Sequence, residues 1–334
     1  MPTTTESINM PSAASPQAYA AFVPHIPLVL MQSPVHTPDF RKAYQARIDE
    51  FNAFDPELVV VFGADHYDAL HLKLMPPFVI GMAAQSINDP GGYPGTVDVP
   101  AELAKALATT LMTQDFDVAT SRAMELDHGF TSVMHLFLGE LNSRPVIPVF
   151  INATALPLPS LRRARQLGEA VGRYAATLGK RVAFLGSGGL SHETNFMFPQ
   201  YEQLEPGPVR DYIVHGGTTG PITRKSWLVE VDQGMKTLSA DMEAGKPLPD
   251  FALINAQWDR RFLDIFASSD LSAFDSWTDE QVMGEAGQGA NEVRQWIAAA
   301  SAAQACGAGI RHVDYYSDTS TFGIGIGIAH STKA

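Results

Sequence analysis

The sequence predicts one large α/β domain, a central mixed sheet flanked by helices. Three observations predict it. Short β-branched or apolar runs alternate with stretches of helical spacing along 334 residues. Two runs, Leu58 to Phe62 and Val146 to Ile151, are continuously apolar, as strands buried on both faces are. Four histidines, His25, His66, His128 and His192, stand in the loops where such runs end, and open α/β sheets gather their ligands at the carboxyl ends of strands.

Taken in order, residues 1–18 are rich in Ser, Thr and Pro and are expected to form a disordered polar tail, with residues 19–330 the domain. Ala20 to Val23 form a first strand. Asp39 to Phe54 place Phe40, Tyr44, Ile48 and Phe51 on one helical stripe, closed by Asp55-Pro56. Leu58 to Phe62 lead into Gly63-Ala64-Asp65-His66. Phe78 to Met82 are a strand after Pro76-Pro77, and residues 88–95 are turn chemistry. A helix from Pro100 to about Thr113, a short strand over 116–120 and the Asp127-His128 loop follow. Phe130 to Leu141 are helical and Val146 to Ile151 a strand. Ser160 caps a helix that ends near Leu178-Gly179. Val182 to Leu185 open into Gly186-Ser187-Gly188-Gly189-Leu190-Ser191-His192. Beyond residue 193 an irregular stretch leads to helices over 222–303 and two last strands, 312–316 and 322–328. The change of character is read as helices laid over one sheet, not a second domain.

Composition narrows the chemistry. A formal charge of −13 disfavours nucleic acid, whose affinity rests on Lys and Arg at phosphates. Cys306 is the only cysteine, so an intrachain disulfide is impossible and thiolate zinc or iron–sulfur centres are set aside. A metal must then use nitrogen and oxygen donors. No apolar stretch approaches the roughly 20 residues that span a bilayer, and the N-terminus lacks a basic-then-apolar signal. The expectation is a cytoplasmic protein with no membrane partner.

His66 sits beyond a buried strand with Asp65 as a possible outer partner, and His25 lies in a loop stiffened by Pro24 and Pro27. Either could hold a metal; a plain loop histidine is the alternative. Gly188 and Gly189 before His192 permit close backbone approach. The stretch lacks both G-x-G-x-x-G phasing and a P-loop Lys, and Ser187 is outside a G-x-S-x-G elbow. Asp127 beside His128 can fix the tautomer of that imidazole and raise its pKa. Two histidines and one carboxylate make a non-haem ferrous site with open positions. Glu292, on a helix preceded by small residues, is the carboxylate chosen over the alternative of an exposed helical glutamate.

The segments FDPELVVVFGADHYD, LMPPFVIG, ELDHGF, RPVIPVFINATALPLP, GEAVGRY and KRVAFLGSGGLSH together resemble the class III extradiol catechol dioxygenases, most closely the 2,3-dihydroxyphenylpropionate (3-carboxyethylcatechol) dioxygenase branch. The resemblance is dense between 48 and 192 and looser afterwards. It implies the fold of the protocatechuate 4,5-dioxygenase catalytic subunit, a catecholic substrate and O2 as partners, a homo-oligomer, and Fe(II) held by His25, His66 and Glu292. His128 then corresponds to the proton donor, with Asp127 beside it, and His192 to the acceptor. Residues 193–210 and the N-terminal tail depart from the branch. The substrate is therefore expected to be either of the dihydroxyphenylpropionate type or a bulkier lignin-derived biaryl catechol, with Arg122, Arg162 or Arg261 available to an acidic tail. Two other readings of the same residues are a zinc hydrolase on the His/His/Glu set and a non-enzymatic binding protein of this fold.

Overall fold

A computed structural model describes residues 17–25, 37–247, 253–268, 270–318 and 323–333. Its strands are β1 (Gln17–Val23), β2 (Leu58–Gly63), β3 (Phe78–Gly81), β4 (Ala84–Ser86), β5 (Thr96–Val97), β6 (Ala119–Ser121), β7 (Met124–Leu126), β8 (Val146–Ile151), β9 (Arg181–Ser187), β10 (Ile310–Ser317) and β11 (Ile326–Thr332). Eight form one sheet in the order β10-β11-β1-β9-β2-β8-β3-β6, and β5-β4-β7 form a second, smaller one. The helices are α1 (Pro38–Phe54), α2 (Ala101–Thr113), α3 (His128–Leu138), α4 (Leu161–Ala176), α5 (Pro208–His215), α6 (Arg224–Glu243), α7 (Ala256–Ala267), α8 (Asp279–Ala286) and α9 (Val293–Ala305).

The large sheet is mixed. β1, β9, β2 and β8 run parallel side by side, while β11 and β3 join them antiparallel. The side-chain period of two splits each strand between two cores. Ala20, Phe22, Val60, Phe62, Val182 and Phe184 face the helices α2, α4, α7 and α9. Tyr19, Ala21, Val23, Val59, Val61 and Leu185 face α1 and α3. Helix α1 shows how local chemistry sets an element. Thr37 caps it by accepting from the Phe40 N–H, Pro38 pre-forms its first turn, and Asp55 stops it in the left-handed region. Its buried stripe includes Phe40, Tyr44 and Phe51.

Helices α4 and α9 touch backbone to backbone. A Cβ on Gly168 or Gly172 would lie 2.0 Å or 2.2 Å from the carbonyl oxygens of Ala298 and Ala302. Only glycine permits that approach, and it brings the start of α9 over the carboxyl edge of the parallel strands. Among the described residues no helix is long and apolar enough to cross a membrane.

Several boundaries differ from the sequence reading. β1 begins at Gln17, so it takes in the last two residues of the expected tail; residues 1–16 lie outside the described residues. The expected strand over 116–120 is β6 at 119–121, and the last strand starts at Ile326. Helix α3 begins at His128, because Asp127 caps it by accepting from the Gly129 N–H. The small sheet was not foreseen, since strands of two or three residues carry no readable period. Nor was α5, which begins at the end of the stretch read as irregular and stops before the helices expected from 222.

Candidate metal centre and active site

The parallel strands deliver three of the expected groups to one edge. His25 lies two residues past β1, His66 three past β2, and His192 five past β9. His128 is the first residue of α3, and Glu292 ends a 3-10 turn that runs into α9. All five are buried.

Glu292 is the point on which they converge. Its Oε1 lies 3.3 Å from His25 Nε2, 3.3 Å from His66 Nε2 and 3.8 Å from His192 Nε2. Its Oε2 accepts from the Gly189 N–H at 2.7 Å. Gly188 makes the approach possible, because a Cβ there would sit 2.7 Å from the Glu292 Cβ. Burial opposes ionisation of Glu292, yet the surrounding imidazoles of His25, His66 and His192 hold its carboxyl well below the usual carboxylate range.

The second nitrogen of each imidazole fixes what the first can do. Ser187 Oγ donates to the Gly129 carbonyl at 2.5 Å and lies 3.0 Å from His25 Nδ1. The hydroxyl proton is thus committed, so His25 Nδ1 donates and its Nε2 keeps a lone pair. Asp127 Oδ2 accepts from His66 at both its main-chain N–H, 3.0 Å, and Nδ1, 2.7 Å. Its Oδ1 accepts from the Gly129 N–H. With three donors on its two oxygens, Asp127 takes the Nδ1–H of His66, which turns His66 Nε2 toward the site. Burial works against a charge on His66, but Asp127 and Glu292 outweigh it and raise its pKa well above the usual value, so Nε2 would give up a proton on binding a metal. Two imidazole nitrogens and one carboxylate oxygen aimed at one point, all hard or borderline donors, fit a divalent first-row metal. His25, His66 and His128 also present ring nitrogens within 4.8 Å of one another.

His192 donates Nδ1–H to the Leu190 carbonyl at 2.8 Å, which leaves its Nε2 an acceptor. The loop that carries it is pinned from below by Asp259, whose oxygens accept from the Ser191 N–H and hydroxyl and from the Tyr316 hydroxyl. His128 stacks on His66 with ring centroids 4.4 Å apart. Burial, then His66, pushes its pKa down to about 3. Phe198 stands 5.0 Å from the His66 ring.

Two expected partnerships are corrected. Asp65 serves the turn after His66, accepting from the Ala69 and Leu70 N–H groups, and the oxygen on the His66 imidazole comes from Asp127. Asp127 therefore does not orient His128, from whose Nδ1 it lies 3.9 Å. That place is taken by Asp89, whose Oδ2 is 2.5 Å from His128 Nδ1. Asp89 and Ser187 were missed. Asp89 reads as an ordinary turn residue in NDPGGYPG, and the only signal for Ser187 was its position at the end of a buried strand. Of the arginines proposed for an acidic tail, Arg162 lies 3.4 Å from Asp275 and Arg261 2.7 Å from Glu285, both already in ion pairs.

A sheet edge that brings a metal-competent triad together with two further buried imidazoles fits a class: an α/β metalloenzyme with groups able to move protons. The comparisons with known proteins specify it. The family described as the catalytic LigB subunit of aromatic ring-opening dioxygenase matches residues 19–327, and the chain belongs to that family. It is a ring-cleaving dioxygenase, which sets aside the hydrolase and the binding-protein readings. A 2,3-dihydroxyphenylpropionate/2,3-dihydroxicinnamic acid 1,2-dioxygenase of Mycolicibacterium gilvum is 40% identical over 300 residues, 87% of this chain and 90% of its own. Enzymes of the same name from a Rhodococcus species and from Cupriavidus pinatubonensis are 41% and 38% identical, over 80% and 89% of this chain and 81% and 91% of theirs.

Proposed function

We propose that this chain opens the ring of a 3-substituted catechol beside its hydroxyl pair, using O2 and an Fe(II) ion held by His25, His66 and Glu292. The observation that carries the reading is the Glu292 Oε1, 3.3 Å from each of two imidazole nitrogens whose other nitrogens are engaged elsewhere. When bound, the iron supplies a Lewis acid for both phenolic oxygens and open positions for O2. His192 takes a phenolic proton at Nε2, the nitrogen its Leu190 contact leaves free. His128 gives a proton to a substrate oxygen as the ring opens. Each such role is worth about 10²–10⁴-fold in rate. Phe198 excludes water from one side. The reading includes one catalytic domain over 19–330, a homo-oligomer and a cytoplasmic setting.

The substrate follows from the relatives, whose names specify 2,3-dihydroxyphenylpropionate. A bulkier biaryl catechol is the second reading. It is favoured by an apolar groove of 630 Å³ beside Phe198, lined by Phe196, Met197, Leu204, Trp227 and Met235 among others. The test loads the protein with Fe(II) without air, then adds air and either catechol. One O2 consumed per substrate, with a yellow ring-opened product, is the expected result, and the lower KM chooses the substrate. No oxygen uptake with any catechol of a 3-substituted panel ends the proposal.

A further inference from the structure

Four buried carboxylates, Asp65, Asp68, Asp89 and Asp127, lie behind the imidazoles. Two of them each meet a histidine in the same way, through the main-chain N–H and Nδ1 of one residue on a single oxygen: Asp127 on His66, and Asp89 on His128 at 3.0 Å and 2.5 Å. Their other oxygens differ. Asp127 Oδ1 accepts from the Gly129 N–H, whereas Asp89 Oδ1 is buried with no hydrogen-bond partner among the described residues. Asp68 Oδ2 is likewise buried and unpartnered, and Asp68, Asp89 and Asp127 all present oxygens within 4.8 Å of one another, so donor supply alone separates Asp89 from Asp127. Among carboxylates crowded together, the one with fewest donors holds a proton most readily.

We propose that Asp89 is the positioning residue that makes His128 a proton donor; the inference rests on the ring-cleaving reading above. The hydrogen in the Asp89 Oδ2–His128 Nδ1 contact belongs to Asp89, so His128 accepts at Nδ1 and carries its own hydrogen on Nε2, facing the site. The pair is then neutral, the state a buried pocket favours. His66, whose Nδ1 faces an Asp127 already supplied with two N–H donors, donates at Nδ1 and turns Nε2 to the metal. Two imidazoles stacked 4.4 Å apart are thus set to different tasks by the donor supply of the aspartate behind each. When Nε2–H gives its proton to a substrate oxygen, the Asp89 proton moves to Nδ1. It is replaced from a cleft of 690 Å³ lined by Asn88, Asp89, Pro90, Arg224 and Lys225.

Asp89→Asn tests the idea sharply. The main-chain N–H of His128 requires an acceptor at the Oδ2 position, so the asparagine must place its carbonyl oxygen there. It then accepts from Nδ1–H and strips Nε2 of its hydrogen. With Fe(II)-loaded protein and 2,3-dihydroxyphenylpropionate as the probe, kcat is expected to fall about 10²-fold or more. KM should stay within about threefold and iron content at the wild-type level. Asp89→Glu, which keeps the acid, should recover part of kcat, and Asp89→Asn should add no loss to His128→Ala. A second variant leaves the acid intact: a Cβ on Gly92 would lie 2.4 Å from Asp89 Oδ1, so Gly92→Ala should displace the carboxyl and lower kcat at unchanged KM. Wild-type kcat in whichever of Asp89→Asn and Gly92→Ala folds, or losses that add to those of His128→Ala, overturns the inference. If His128→Ala itself is fully active, the reading of His128 as donor fails first.

Discussion

At the carboxyl edge of the sheet, position is set by main chain and by short polar contacts from distant elements. Helices α5 and α6, which cover one side of that edge, are held differently. Their core is aromatic, with Tyr212 stacked on Trp227 at 4.5 Å and packed on Tyr67 and Phe198. Their outer faces carry exposed ion pairs such as Lys236–Asp232, which contribute little. The edge has to hold atoms to fractions of an ångström; the cover only has to fill space. Among the polar contacts that join them, the Trp227 indole N–H donates to the buried Asp68 Oδ1 at 3.0 Å.

Four substitutions or titrations break or sharpen that contrast. The largest effect belongs to the edge: Glu292→Ala removes the oxygen shared by His25 and His66, and is expected to abolish both ring cleavage and iron binding, read by metal analysis and O2 uptake. An active, iron-replete variant would send the search for the carboxylate elsewhere. Asp127→Asn keeps the shape but weakens the group that orients His66, and iron affinity should fall about 10–100-fold. Trp227→Phe strikes the join. Asp68 loses its donor, which costs about 1–3 kcal/mol of stability in denaturant titration, while iron affinity stays unchanged.

The smallest effect lies in the cover. Burial, and then Arg224, lower His71 to about 4 from an ordinary 6.5. Its ring nitrogens are buried without hydrogen-bond partners among the described residues. A depressed pKa means that the fold prefers the neutral imidazole. Its contribution is therefore fully present above pH 6.5 and is lost as pH falls from 6.5 through 4. The melting temperature should drop more steeply over that window in the wild type than in His71→Phe; parallel curves would show that His71 is not the group responsible.

Much of the edge was legible because strand ends announce themselves. Leu58 to Phe62 and Val182 to Leu185 are too apolar and too short to be anything but buried strands, and the polar residues after them have to emerge at the sheet edge. The glycines at 188 and 189 signalled close approach, and Glu292 proved to be the group approached. The cover was less legible. Helix α5 has eight residues, two of them buried, within a stretch rich in Pro, Glu and Gly. Which carboxylate serves which histidine was illegible. Adjacency suggested Asp127 for His128, but a capping aspartate turns its side chain back onto its own helix start and, here, onto the neighbouring strand's loop.

The sequence by itself determined the alternation of strands and helices, the nitrogen-and-oxygen character of any metal site, and the placement of imidazoles at strand ends, because these follow from periodicity and composition within a few residues. Only the tertiary structure decided the pairing of Asp89 with His128, of Asp127 with His66 and of Ser187 with His25. Those contacts join residues 39, 61 and 162 positions apart. Their choice depends on which oxygen already has its donors satisfied, a quantity that exists only once the parallel strands lie side by side.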